Sequence, residues 1–381
     1  KDTRGAESGW SSTWHFSMEP ENLPPSISFN TANGNSAGEI PSRDQTWTFA
    51  GTASDPENQL REIKFHCRGD ACNEDPTIGL SGAWSHQRNG LTGRNEVWFT
   101  ACDDRQCTDS RHVILKIDLA APSTTADANG QTNPTGWFRE PVNVTLRAND
   151  GATGNAMVGV REVRYRVDGG GWQSYGGDAK VVQGSGDGNH TVEFYAVDHL
   201  GNQESVKSIS FKIDATPPTS PSGASETHGV ANDHWQKTQG TPEFAWNASS
   251  DATSGLQHYE LTFGTDANGT DIQKFVGAGE PRRWTPLPGG VRTGTYYLRA
   301  RSRDIAGNDS AWVTLFVFRY DVTPPANPTS ATHANGITNN TWQRQSSLAN
   351  FTWPAATDEG SGVKGYLVYW GGDANGASSD F

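Results

Sequence analysis

The chain has 381 residues, a formal net charge of −13 and a hydrophobic fraction of 33%, with 43 glycines and 20 prolines. The acidic balance argues against a nucleic-acid-binding protein, which needs a basic face, and no apolar run approaches the length of a membrane span. Many short apolar runs between Gly- and Pro-rich stretches indicate several all-β modules rather than one large core.

A proline-containing stretch recurs along the chain and divides it into modules. The stretch Phe211–Pro218 is repeated closely at Phe318–Pro325 and more loosely at Leu115–Pro122, while Leu23 precedes the proline pair alone. The last prolines of successive copies are 97, 96 and 107 residues apart, which is the size of one small domain. We therefore predict five segments, with the bounds 1–23, 24–121, 122–217, 218–324 and 325–381.

The first segment, 1–23, is predicted to be the last strand of a truncated preceding module followed by a linker. Four residues near the start have the spacing of four residues in a later repeat, namely Asp2, Gly5, Ser8 and Trp10 against Asp304, Gly307, Ser310 and Trp312.

The second segment, 24–121, contains runs in which apolar residues alternate with polar ones. This period of two predicts strands with one face turned inward, as in a two-sheet sandwich. The inward residues are predicted to be Trp47 and Phe49; Ile63, Phe65 and Cys67; Val97, Phe99 and Ala101; and Val113, Leu115 and Ile117.

All four cysteines fall in the second segment, at Cys67, Cys72, Cys102 and Cys107. Zinc sites prefer pairs that are two to four residues apart, so disulfides in an oxidising compartment are the better interpretation. Three pairings are possible. Cys67 with Cys72 and Cys102 with Cys107 is favoured because each pair flanks a predicted hairpin turn, and Cys67 with Cys102 across neighbouring strands is the competing choice.

The first cysteine pair encloses Arg68, Gly69 and Asp70, a tripeptide that resembles the integrin-recognition sequence. A constrained Asp carboxylate could complete a receptor's metal site while the Arg meets an acidic group. The alternative is an ordinary polar turn, and we prefer it because a tripeptide arises readily by chance.

The remaining segments repeat the alternating pattern, and the last two are duplicates. Segment 122–217 also contains runs in which apolar and polar residues alternate. Segment 325–381 copies segment 218–324 at a constant offset of 107 residues. The offset relates Trp235 to Trp342 and Tyr259 to Tyr366. The copy stops near the counterpart of Phe275, so we expect its last strands to be absent.

Two groups of motifs resemble known repeat families. The Phe244 and Trp246 pair, followed by Asp251, Ser254, Gly255 and Tyr259 and by the runs 296–300 and 304–308, resembles bacterial fibronectin type III repeats. The runs 165–172 and 195–202 are similar to bacterial Ig-like repeats of large secreted and cell-surface proteins. The resemblance implies an all-β fold of tandem Ig-like and fibronectin type III β-sandwich modules in an elongated array. It implies little about function, because such modules serve as stalks, adhesin shafts, filament subunits and spacers.

An aspartate stands at each proline-containing stretch, at Asp118, Asp214 and Asp321. Bacterial adhesins built from Ig-type modules stiffen the joints between modules with Ca²⁺, so the resemblance implies that these residues are calcium ligands, with Ca²⁺ as the one cofactor. The alternative is that each Asp only caps the turn before Pro.

Other sites are less well supported by the sequence. Trp84, Trp137, Trp172, Trp284 and Trp370 lie near turns and could offer exposed rings to a glycan. The run 34–38 matches a hydrolase nucleophile elbow but reads as a loop, and no other catalytic motif appears, so we expect no enzyme activity.

We therefore predict an extracellular or cell-surface stalk, structural or adhesive, that acts as a spacer or filament component. The alternative is a non-catalytic spacer or carbohydrate-binding region of a larger secreted enzyme. The expected partners are other copies of the chain or a cell-surface or glycan ligand, with no nucleic acid and no transmembrane segment. In a filament, residues 8–18 would donate a strand to the module that begins at Asp321.

Overall fold

The computed structural model describes residues 21–72, 76–79, 82–130, 132–151, 156–176, 179–334, 336–342 and 350–372. Every regular element in these ranges is a β-strand, so the all-β prediction is confirmed. Within the same ranges there is no helix long and apolar enough to cross a membrane. The predicted donor strand 8–18 lies outside the described residues.

The chain forms two compact units. The first comprises residues 1–128, 144–182 and 191–209, and the second comprises residues 129–143, 183–190 and 210–381. The division falls inside the predicted segment 122–217, so the segment boundaries stay a prediction.

The described residues between 26 and 117 form nine strands. They are β1 (Ser26–Ala32), β2 (Glu39–Ser42), β3 (Trp47–Ser54), β4 (Glu62–Gly69), β5 (Thr77–Gly79), β6 (Ala83–Arg88), β7 (Gly93–Cys102), β8 (Cys107–Asp109) and β9 (Val113–Ile117). One sheet has the order β1-β3-β6 and the other the order β2-β9-β7-β4-β5, with β8 paired to β7. The short β2 runs parallel to β9, while the other pairs are antiparallel.

Two further sets of strands follow. The first set is β10 (Ser123–Asn129), β11 (Trp137–Phe138), β12 (Val142–Asn149), β13 (Val160–Val167), β14 (Gln173–Tyr175), β15 (Ala179–Gly184), β16 (Gly188–Asp198) and β17 (Lys207–Ile213). The second set is β18 (Ser222–Glu226), β19 (Trp235–Gln236), β20 (Phe244–Asn247), β21 (Leu256–Gly264), β22 (Lys274–Gly277), β23 (Arg283–Trp284), β24 (Gly294–Asp304) and β25 (Val313–Tyr320). A short pair, β26 (Thr332–His333) and β27 (Phe351–Thr352), completes the described strands.

The same strand order recurs in each set. A three-stranded sheet has the order β10-β12-β15 in the first set and β18-β20-β23 in the second. A five-stranded sheet has the order β11-β17-β16-β13-β14 in the first and β19-β25-β24-β21-β22 in the second. A short strand again runs parallel to the last one, as β11 does to β17 and β19 to β25. Corresponding loops therefore meet at corresponding edges in every repeat.

The alternating residues of β1–β9 and those of β18–β25 build separate hydrophobic cores. One is formed by residues 27–117, where Phe99 lies 5.0 Å from Phe29 and 4.0 Å from Trp84 between ring centroids. The other is formed by residues 224–320, where Phe244 lies 5.2 Å from Phe316. Because these rings come from different sheets, each core holds a two-sheet sandwich together.

His86 introduces a pH dependence into the first core. Its ring lies 4.7 Å from that of Phe65, and its buried Nε2 has no hydrogen-bond partner among the described residues. Burial, with the charge of Arg88 as a lesser cause, lowers the pKa of His86. The folded state therefore binds this proton less readily than the unfolded chain, and stability is lost as the pH falls below the usual histidine pKa.

We expect the His86→Phe variant to lose part of this acid sensitivity, because phenylalanine keeps the ring packing and does not titrate. The measurement is the difference in thermal transition temperature between pH 7.5 and pH 5 for parent and variant. Effects of other groups are common to both proteins and cancel. An equal difference in the two proteins would contradict the assignment.

Candidate metal centre

Three aspartates meet where one linker and two loops converge. Asp118 follows β9 and precedes β10, Asp150 follows β12, and Asp198 ends β16. Their exposed fractions are 1%, 4% and 0%. One carboxylate oxygen from each residue lies within 4.8 Å of the others. The sequence predicted Asp118 as a ligand, and the structure places two further carboxylates beside it.

Backbone amides donate to all three carboxylates. Asp118 Oδ1 accepts the Ala120 amide at 3.0 Å. Asp198 Oδ1 accepts the amides of Leu200 and Asn202, both at 2.8 Å. The Asn202 side-chain Nδ2 donates to Asp198 Oδ2 at 2.7 Å and to the Asp118 carbonyl at 3.0 Å, so it joins the linker to the β16 turn.

Asp150 is the least satisfied member of this first cluster. Its Oδ2 accepts the amides of Val158 and Gly159 at 3.1 and 2.7 Å. Its Oδ1 is buried and has no hydrogen-bond partner among the described residues. A buried polar atom without a partner costs about 1–3 kcal/mol, and more when it is charged. This oxygen is therefore available to a ligand.

The electrostatics of the first cluster are unfavourable without a cation. Burial raises the pKa of Asp118, and the charges of Asp150 and Asp198 raise it further, although amide hydrogen bonds oppose the shift. In the described part of the chain, none of the three carboxylates forms a salt bridge with a basic side chain. A bound cation would remove this repulsion.

A second cluster repeats the arrangement with Asp214, Asp251 and Asp304, whose oxygens also lie within 4.8 Å of one another. Asp214 Oδ2 accepts the Ser254 amide at 3.0 Å, and Asp251 Oδ1 accepts the Gly255 amide at 2.7 Å. Burial raises the pKa of Asp304, and Asp214 adds to the effect.

Asn308 occupies in the second cluster the position that Asn202 has in the first. Its Nδ2 donates to Asp304 Oδ2 at 2.9 Å and to the Asp214 carbonyl at 2.8 Å. The recurring Asp-x-x-Gly-Asn sequence of the two turns is the signal in the sequence that marks Asp198 and Asp304.

Asp321 is placed differently from the other two predicted ligands. Among the described residues it does not belong to a group of three carboxylates. Its Oδ2 accepts the amide and the hydroxyl of Ser361, each at 2.7 Å, and these bonds lower the pKa of Asp321. Asp358, the counterpart of Asp251, accepts the amides of Gly360 and Gly362 at 3.0 and 2.8 Å.

Before the first repeat, the residue that contacts the loop aspartate is Asn22, which carries an amide instead of a carboxylate. Asn22 Nδ2 donates to Asp103 Oδ2 at 2.9 Å, and Gln106 Nε2 donates to the Asn22 carbonyl at 2.7 Å. The side-chain amide of Asn22 therefore satisfies the carboxylate directly. Asp55 Oδ2 and Glu57 Oε2 are buried without partners among the described residues, but neither residue belongs to a group of three there.

The turns that begin at Asp103, Asp198 and Asp304 are each closed by a different pair of residues. The bridging pairs are Cys102 with Cys107, Val197 with Gln203, and Arg303 with Asp309. The first is a disulfide with 4.1 Å between Cα atoms, and the third is an ion pair with 2.6 Å between Arg303 Nε and Asp309 Oδ1. The structure also pairs Cys67 with Cys72, at 5.3 Å between Cα atoms.

The tripeptide at 68–70 is held by its own module. Arg68 forms an ion pair with Glu96, and Asp70 Oδ2 accepts the Arg94 amide at 2.8 Å. Both side chains that would contact a receptor thus have partners, although recognition by a receptor stays a prediction.

The tryptophans considered for glycan binding differ in exposure. Trp84 is 5% exposed and lies in the first core, so the expectation that it is exposed is wrong. Basic side chains cover one ring face of two others, with Arg166 at 4.7 Å from the Trp172 ring and Lys212 at 5.4 Å from that of Trp137. Trp370 is 67% exposed.

No family model and no curated protein matches the chain. A solved structure from a 1.5-MDa bacterial ice-binding adhesin is similar, with 13% identity and a TM-score of 0.38 over 80% of this chain and 99% of that one. A tetra-tandem repeat from the extending region of a large adhesion protein has 17% identity and a TM-score of 0.29 over 87% of each chain. Fibronectin(III)-like modules of Clostridium thermocellum CbhA have 17% identity and a TM-score of 0.21 over 50% of this chain and 95% of that one.

Proposed function

We propose that this chain is an extracellular structural or adhesive segment of tandem β-sandwich modules in which Ca²⁺ binds at the junction of linker and module. The observation that carries the proposal is the buried and unpartnered Oδ1 of Asp150 in a group of three carboxylates. Neutral hydrogen-bond donors would satisfy this oxygen, but they would leave the repulsion among three buried charges.

The ligand atoms fit a hard divalent cation. Ca²⁺ takes oxygen ligands at about 2.3–2.6 Å, so two ligands of one ion lie at most about 5 Å apart. The oxygens of Asp118, Asp150 and Asp198 lie within 4.8 Å of one another and satisfy that limit, as do those of Asp214, Asp251 and Asp304. When bound, the ion would supply the positive charge that each group lacks.

The chain's own residues give this site a mechanical role. Asp118 and Asp214 belong to linkers, whereas the other two aspartates of each group belong to loops of the following sandwich. An ion held by all three would fix the linker against that sandwich. Pro122 and the pair Pro217–Pro218 restrict the linkers further, because proline fixes φ. The module would then transmit length and stiffness rather than catalyse a reaction.

The proposed location rests on the paired cysteines, and the proposed calcium sites agree with it. Paired cysteines persist in oxidising compartments such as the cell exterior. Extracellular modules commonly bind Ca²⁺ with dissociation constants of about 10⁻⁴–10⁻³ M, which suits millimolar external calcium.

The test is a calcium titration of the chelator-treated full chain by calorimetry, together with equilibrium dialysis. We expect Asp150→Asn and Asp251→Asn each to remove one bound ion per chain, and the double variant to remove two. Asp127→Asn, which removes a carboxylate on β10 outside both clusters, is the matched control and should bind as the parent does. Failure of the parent to bind Ca²⁺ at millimolar concentration, or an unchanged number of ions in Asp150→Asn, would refute the proposal.

A further inference from the structure

A rigid turn precedes β11 and presents a side-chain amide. Asn133 Oδ1 accepts the amides of Thr135 and Trp137, both at 3.0 Å, and the Thr135 hydroxyl at 2.7 Å. The Asn133 backbone amide donates to the Trp137 carbonyl at 3.0 Å. This is an Asx-type turn, in which an Asn side chain organises the backbone that follows it. Asn133 Nδ2 is left to point away from its own turn.

That turn contacts the 304–308 turn, which carries an aspartate of the second cluster. Asn133 Nδ2 donates to the Ile305 carbonyl at 2.5 Å. The Thr135 hydroxyl lies 3.0 Å from the same carbonyl and shares its one hydrogen between this oxygen and Asn133 Oδ1. Arg139 Nη1 donates to the Gly307 carbonyl at 3.3 Å. Segment 133–139 thus binds two carbonyl oxygens of the 304–308 turn.

Backbone amides of the 304–308 turn donate to the loop that carries Asp251 of the second cluster. The Ile305 amide donates to the Gly255 carbonyl at 2.8 Å, and the Ala306 amide donates to Ser254 Oγ at 3.1 Å. Asp304 Oδ1 accepts the Gly307 amide at 2.6 Å. The turn is therefore held between segment 133–139 and the loop that carries Asp251.

We propose that segment 133–139 is a positioning element for the second cation site, so that its contact with the 304–308 turn and cation binding at Asp214, Asp251 and Asp304 reinforce each other. The inference rests on the proposed function. An interaction that holds a ligand-bearing turn in its binding geometry removes an ordering cost from the ion. Linkage requires the reverse as well, because the ion must stabilise the contact by the same factor.

Asn133→Asp is the discriminating variant. Aspartate keeps the Oδ1 acceptor on which the Asx-type turn depends, but it has no Nδ2 donor and places an oxygen against the Ile305 carbonyl. The probe is Ca²⁺ alone, titrated into the full chain in an Asp150→Asn background so that the first cluster is silent. We expect the remaining affinity to fall about fivefold or more, the lower end of ordinary coupling between sites.

Two comparisons make the result specific. Asn143→Asp adds the same charge at an exposed position of β12 and should leave the affinity unchanged. Thr135→Val removes only one hydroxyl donor and should give a smaller loss in the same direction. As a readout independent of affinity, hydrogen exchange of the Thr135 and Trp137 amides should slow when Ca²⁺ is added to the protein.

The outcomes separate the two proposals. If the second cluster binds Ca²⁺ and Asn133→Asp binds it as tightly as its background does, the positioning role is refuted and the calcium proposal stands. If Asn143→Asp weakens binding as much as Asn133→Asp does, the effect is long-range charge and the positioning role is again refuted. If the parent binds no Ca²⁺, both proposals fail.

Discussion

In the presence of chelator, the Asp118→Asn variant should melt at a higher temperature than the parent, and in millimolar Ca²⁺ it should melt at a lower one. The substitution removes one of three buried charges whose oxygens lie within 4.8 Å, so the metal-free fold loses a repulsion. The same change removes a calcium ligand, so the bound ion no longer stabilises the variant as it does the parent.

The size of the reversal follows from linkage. Free ligand at about 100 times its dissociation constant stabilises the folded state by about 2.7 kcal/mol. For a domain of about 60–100 residues, 1 kcal/mol shifts the thermal transition temperature by about 4–8 °C. Calcium should therefore raise the transition temperature of the parent by on the order of 10 °C. The measurement is calorimetric unfolding of both proteins with EDTA and with Ca²⁺.

Asn22 gives a natural precedent for this asparagine variant. Its Nδ2 donates to Asp103 at 2.9 Å in the first repeat, and the amide introduced by Asp118→Asn would meet Asp198 and Asp150 in the same way. Asp127→Asn serves again as the control for loss of a negative charge. The idea of a cation site would be abandoned if Asp118→Asn were destabilised equally with chelator and with calcium, because that result describes a residue that only accepts hydrogen bonds.

Phe99→Ala should unfold the sandwich of β1–β9 and leave the sandwich of β18–β25 folded. The Phe99 ring is fully buried and lies between 4.0 and 5.9 Å from the rings of Phe29, Phe49, Phe65 and Trp84. Truncation of such a ring costs about 3–5 kcal/mol, because the neighbours close the cavity only in part. Since the core of residues 224–320 contains no residue of this cluster, its transition should stay at the parent temperature.

Leu298→Ala is the reciprocal variant. Leu298 is fully buried in the other core, so its truncation, at about 2–5 kcal/mol, should lower that transition alone. The experiment is scanning calorimetry of both variants, with transitions assigned by limited proteolysis at each temperature. Separate folding of the modules would be disproved by a single transition that moves in both variants.

The sequence predicted the strands and cores well because alternation depends only on nearest neighbours. Trp47, Phe49, Val97 and Phe99 are all buried as expected. The error at Trp84 has a long-range cause. Gly51 lies opposite Trp84 on β3, the neighbouring strand of the same sheet, and a Cβ atom there would lie 2.3 Å from the Trp84 ring. The missing side chain leaves room for the indole, and proximity to a turn gave no sign of it.

The candidate site was predicted only in its linker residue. Asp118 could be recognised because it recurs before proline. Asp150 and Asp198 come from loops far along the chain, and only strand pairing brings them to the linker. The antiparallel pairing of β18 with β20, which places Ser222 beside Asn247, shows how strand pairing brings such loops together. The start of one strand lies beside the end of its neighbour, so an aspartate before the first meets an aspartate after the second.

The pairs that close the aspartate-bearing turns give each repeat a different sensitivity to its surroundings. A reducing agent should loosen only the turn closed by Cys102 and Cys107. Concentrated salt should act only on the turn closed by Arg303 and Asp309, and modestly, because the two side chains are 35% and 25% exposed and screening weakens partly buried ion pairs less than exposed ones. The turn between Val197 and Gln203 should respond to neither. A single redox or ionic-strength shock would thus leave at least one repeat intact, so damage would be spread unevenly along the molecule.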